Sequence, residues 1–124
     1  MTATKTFKDL IVWQKAYQLV VETYRITKSF PASEQYGLSQ QIRRAVVSIP
    51  SNIAEGYGRF YNKEYKQFLS ISYGALCELE TQYLLAVELG YTHRSEVLEM
   101  LIKEVGSMLY TMINPKRSTL SALR

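Results

Sequence analysis

Between Gln41 and Lys66 the chain carries five cations, Arg43, Arg44, Arg59, Lys63 and Lys66, against two acids, Glu55 and Glu64. In Arg59-Phe-Tyr-Asn-Lys-Glu-Tyr-Lys-Gln-Phe68 the cations alternate with aromatic rings. Such a run offers polyanion chemistry: cations meet phosphates while tyrosines stack on unpaired bases. It also has a plainer reading. Tyr61, Tyr65 and Phe68 have the spacing of a helix's core face, with Lys63 and Lys66 on the solvated side.

Other chemistry is poorly supplied. His93 falls in a turn between two predicted helices, where a capping or surface role outweighs catalysis. Cys77, at helical spacing from Tyr73 and Leu84, is expected to be buried and inert. Glu78 and Glu80 do not share a helix face, and no Glu-x-x-His pair supports a di-metal site. One cysteine and one histidine do not make a structural zinc site. No phosphate loop, nucleophile elbow or metalloprotease motif occurs. The expectation is a protein without catalytic residues, metal or cofactor.

At 124 residues, with 47% hydrophobic and 21% charged residues, the chain is one ordinary globular domain. Its net charge of +4 permits nucleic-acid binding without requiring it. Charge is unevenly spread, since Glu78 to Glu104 holds six glutamates against Arg94 and Lys103. The first residues do not read as a secretory signal, and no run reaches the roughly 18 apolar residues of a membrane span, so a cytoplasmic location is expected.

Positioning these residues falls to four predicted helices. Leu10, Trp13, Tyr17, Val20, Tyr24 and Thr27 mark one face of the first, with Asp9 as its N-cap and Phe30-Pro31 as its end. Ser39 is the expected N-cap of the second, which carries Leu38, Ile42, Ala45, Ile49 and Ile53 across Pro50. A proline inside a helix removes one hydrogen bond and costs about 3 kcal/mol, so a kink is predicted there. Gly56 and Gly58 are the expected terminators. Asn62 is expected to cap the third helix, which runs on Tyr65, Phe68, Leu69, Ser72, Leu76, Leu79 and Tyr83 to Gly90. The fourth extends from about Arg94 to Ile113 on Leu98, Leu101, Val105, Met108 and Met112. Gly74 and Gly106, mid-helix, suggest close helix contacts. The reading is all-α: a single domain over residues 1–124, an antiparallel up-down-up-down four-helix bundle with a core over about 7–113 and a mobile basic tail over 114–124.

The second helix has another side. Gln41, Arg44, Ser48, Ser51, Glu55 and Arg59 form a polar stripe opposite the apolar one, and Ser48, Ser51, Asn52 and Ala54 are small. Small residues let another backbone approach. One reading makes Arg44, Ser48, Ser51, Asn52, Ala54 and Glu55 a subunit interface, with Arg44 and Glu55 satisfying each other or partners across it. The other makes the kink a binding groove in which Asn52, Glu55 and an exposed Val46 carbonyl meet a ligand.

Three strings, Asp9-Leu-Ile-Val-Trp-Gln-Lys-Ala16, Tyr36-Gly-Leu-Ser-Gln-Gln-Ile-Arg-Arg-Ala45 and Ser48-Ile-Pro-Ser-Asn-Ile-Ala-Glu-Gly56, resemble the signature of a bacterial four-helix bundle family named after intervening sequences in 23S ribosomal RNA genes. The resemblance covers roughly Phe7 to Ile113. It implies an antiparallel bundle that assembles as a homopentameric ring. It extends to the accessory variability determinant of diversity-generating retroelements, a basic pentamer that associates with a reverse transcriptase and nucleic acid. In such a ring five copies of Arg43, Arg59, Lys63 and Lys66 would bind RNA or DNA more tightly than one. The alternative is an oligomeric scaffold for a protein partner.

Overall fold

Helical spacing of apolar residues produces four α-helices and no strand among residues 4–115, the part of the chain that the computed structural model describes. They are α1 (Ile11–Thr27), α2 (Leu38–Tyr57), α3 (Asn62–Glu88) and α4 (Glu96–Ile113). Two short 3-10 turns, Phe7–Asp9 and Ala32–Glu34, precede α1 and α2. Of the tail expected to be mobile over 114–124, residues 116–124 lie outside the described residues. α1 packs on α2 and α4, and α3 packs on the same two helices, with no backbone approach across either diagonal. A single core fills the middle, built on Leu19, Ile42, Ile49, Ile53, Leu69, Leu79, Leu98, Val105 and Leu109.

α2 runs through Pro50 without interruption. Burial explains why it does. Ile42, Val46, Ile49 and Ile53 are fully buried, each contributing roughly 1.5–3 kcal/mol, which outweighs the ~3 kcal/mol that a helix-interior proline costs. The ring of Pro50 is itself buried.

α1 departs from expectation. Val12, Ala16, Leu19, Thr23 and Thr27 form its buried stripe, while Tyr17 and Tyr24 are exposed. Because α1 touches two helices, its apolar arc is wide, and the row Trp13-Tyr17-Val20-Tyr24 is the edge of that arc beside α2 and not its centre.

Several helix ends use other atoms than the expected caps. Asp9 does not cap α1; it closes a capping box with Thr6 around the first 3-10 turn, and Leu10 precedes α1 without a side-chain cap. Ser39 is buried inside α2, whose first amide, that of Leu38, donates instead to the Glu34 carboxylate at 2.9 Å. Asn62 is the first residue of α3 and caps nothing. Ser95 caps α4 by accepting from the Leu98 N–H. Gly90 ends α3 as predicted. At φ 77° it lets its own N–H reach the Val87 carbonyl and that of Tyr91 reach the Ala86 carbonyl, the paired bonds of a Schellman turn.

Candidate functional site

The cationic-aromatic run sits where α2 hands over to α3. Gly58 ends α2, Arg59 to Tyr61 form the connection, and α3 starts at Asn62. Gly56 is no terminator: a Cβ there would lie 2.7 Å from the Phe68 Cβ and 3.3 Å from the Tyr65 carbonyl oxygen, so the glycine is what allows α3 to lie against α2. Phe68 and Tyr65 are thereby fixed beside the end of α2. Arg59 folds back with its guanidinium 4.8 Å from the centre of the Phe68 ring and pairs with Glu55 at 3.3 Å. Tyr65 meets Tyr57 edge-on at 6.2 Å, and burial pushes its phenol up.

The rest of the run is open. Phe60 is 97% exposed and Tyr61 70% exposed, with Lys63 and Lys66 exposed on the first turns of α3. The plainer reading holds for Tyr65 and Phe68, which are half-buried, and fails for Tyr61. Phe60, the most exposed aromatic, has no helical spacing to mark it; only its place between Arg59 and Tyr61 does. Four positions thus present two cations and two free rings at one end of the bundle.

Arg43 lies elsewhere. It is on the first half of α2, and about 20 Å of helix separates its neighbour Arg44 from Tyr57 at ~1.5 Å per residue. Its Nε donates to the Thr27 hydroxyl at 2.9 Å, and its guanidinium sits 4.8 Å from the centre of the Tyr24 ring. Arg44 is exposed beside it.

The small polar residues of α2 satisfy one another. Ser51 donates to the Val47 carbonyl at 2.7 Å, and the Asn52 amide donates to the Ser48 carbonyl and hydroxyl at 2.8 and 2.9 Å. Beside them Trp13, Tyr17 and Val20 of α1 and Val47, Pro50 and Ala54 of α2 line an apolar groove of about 340 Å³. Tyr17, Val21, Tyr24 and Val47 all show large apolar surface along this side. Arg44 and Glu55 do not meet, since Glu55 pairs with Arg59. Val46 is fully buried, so its carbonyl does not offer itself to a ligand at the proline.

At the other end of the bundle Tyr83 donates to Glu99 at 2.7 Å and accepts the Ser95 N–H at 2.7 Å. Arg94 grips the same carboxylate through two bonds of 2.9 and 2.7 Å. The guanidinium and the phenol hold Glu99 down to about 2, and burial pushes the Tyr83 phenol up. These groups fix the α3–α4 turn. His93 is exposed in that turn. Cys77, expected to be buried, is exposed on the α3–α4 side. Among the described residues no three His, Cys, Asp or Glu side chains gather as a metal site would need, and no helix is long and apolar enough to cross a membrane.

The family model described as 23S rRNA-intervening sequence protein matches residues 8–111, which spans all four helices but the last two residues of α4. No curated protein matches the chain.

Proposed function

The chain belongs to the 23S rRNA-intervening sequence protein family, and from that premise we propose that it is a non-enzymatic, self-assembling scaffold that binds RNA through the α2–α3 junction. The observation that carries the binding is the junction itself: Phe60 and Tyr61 stand out in solvent between Arg59, Lys63 and Lys66. Folding rarely leaves two adjacent rings so open, whereas a strand of unpaired bases would stack on them while the cations neutralise its phosphates.

Self-assembly draws support from the α1–α2 side. Its apolar groove is floored by Pro50, and Ser48, Ser51, Asn52 and Ala54 beside it are small enough for another subunit's helix to approach. We take the helices to run up-down-up-down, the bend at Pro50 to tilt this face outward, and the assembly to be a cytoplasmic pentameric ring. A ring repeats the junction, and repetition multiplies weak phosphate contacts.

The test is binding of a structured RNA and of duplex DNA across a salt series, with mass followed by light scattering in the same buffer. Binding that weakens steeply with salt and is lost in Arg59→Ala/Lys63→Ala/Lys66→Ala at unchanged mass is expected. Absence of binding at low salt would overturn the nucleic-acid reading and leave a scaffold for a protein partner, such as a reverse transcriptase.

A further inference from the structure

The first half of α2 and the turn before it enclose a second groove, of about 500 Å³, lined by Tyr24, Gln35, Tyr36, Gln40, Arg43 and Arg44, with Val47 at its edge. We propose that this groove is a second RNA-binding site, one that takes a nucleotide unit of an unpaired strand. Resting on the RNA reading above, it concerns different residues, about 20 Å along α2 from the junction.

The lining fits a phosphate with an attached base. No carboxylate lines the groove. The acids closest in sequence to its lining residues are engaged: Glu34 accepts from the Leu38 N–H and the Tyr91 hydroxyl, and Glu22 pairs with Arg25. Arg43 is held in one pose by the Thr27 hydroxyl and the Tyr24 ring, so its remaining N–H donors face an anion with little rotamer entropy left to lose. Arg44 makes no ion pair or hydrogen bond with the described residues and is exposed. Tyr36 is 83% exposed, which gives the groove a free ring for stacking, and the Gln35 and Gln40 amides offer both donors and acceptors to a base edge.

A duplex hides its base faces, so the geometry favours an unpaired strand. It also favours a strand over a free anion, because the groove joins a cation pair to a stacking ring and two amides.

The experiment uses the full-length chain and a fluorescein-labelled twelve-nucleotide unpaired RNA, with the matched duplex, a mononucleotide and inorganic phosphate as competitors. Tyr36→Ala and Arg44→Ala should each weaken RNA binding by about tenfold, Arg44→Lys should retain part of it, and mass by light scattering should not change. Excess unlabelled strand should compete well, with duplex and phosphate competing poorly. Wild-type affinity in both alanine variants, while Arg59→Ala/Lys63→Ala/Lys66→Ala loses binding, would overturn this site and leave the junction standing. A fall in mass in either variant would reassign the groove to subunit contact. Phosphate or mononucleotide competing as well as the strand would reduce it to a small-anion site. No RNA binding by the wild type would sink both readings together.

Discussion

Glu99 receives three hydrogen bonds, one from Tyr83 and two from Arg94, and each favours its ionised form. Its folded-state value of about 2 lies below the ordinary carboxylate value near 4.5. Asp9 and Glu34 are lowered too, each chiefly by a backbone N–H, from Lys5 and Leu38 respectively. The unfolded chain takes up these protons first, so the stabilisation is complete above about pH 5 and is lost as pH falls towards 2. Glu99→Gln should flatten that part of the stability-pH profile in chemical denaturation; an unchanged acid limb would contradict the assignment. Thr23 tests the opposite case. Its hydroxyl is fully buried and makes no hydrogen bond to the described residues, so Thr23→Val should raise stability by about 1 kcal/mol, and a lowered denaturation midpoint would argue against it.

Two glycines separate propensity from packing at the scale of the helix. Gly74 faces open space in the middle of α3, and Gly74→Ala should stabilise by about 0.5–1 kcal/mol. Gly56 closes the α2–α3 contact, and Gly56→Ala should destabilise by about 1–3 kcal/mol despite the better helix former, because the Phe68 Cβ has no flexible end to yield. Thermal melts of the two variants should move in opposite directions. On the sequence Gly56 reads as a terminator and Gly74, with Gly106, as a close helix contact; packing reverses the first two and keeps only Gly106, where a Cβ would lie 3.2 Å from Leu76, in contact, because the distinction lies in a neighbouring helix. The same limit explains α1. Periodicity placed four helices and carried α2 across Pro50, yet it set the core of α1 on Tyr17 and Tyr24, because a helix packed on two neighbours has more than one apolar row. Ser39 and Asn62 were plausible caps by type, but the Glu34 carboxylate reached across the turn to the start of α2, a contact set by the 3-10 turn and invisible to a local rule. The cationic run was legible as composition. That Phe60 and Tyr61 stay exposed while Phe68 packs, and that Arg43 turns away to Tyr24, followed only from the folded backbone.

At the scale of the molecule, the apolar α1–α2 groove and the basic ends of α2 are displayed on one bundle, which suits a subunit that assembles through one surface and binds through another. Ala54→Glu places a charge in the apolar groove and should dissociate the assembly while each bundle keeps its helical circular dichroism. Assembly and RNA binding are tested together by the dependence of RNA affinity on salt, compared between the wild type and Ala54→Glu, with mass recorded at each point. The three junction cations and the Arg43–Arg44 pair of the second groove, on one bundle, give a slope of log K against log salt of about −3.5, at ~0.7 per neutralised phosphate on a single strand. Ala54→Glu should show that slope, and the wild type a distinctly steeper one with tighter binding. Equal slopes at equal affinity, or a wild type that is already monomeric, would contradict the coupling of assembly to binding.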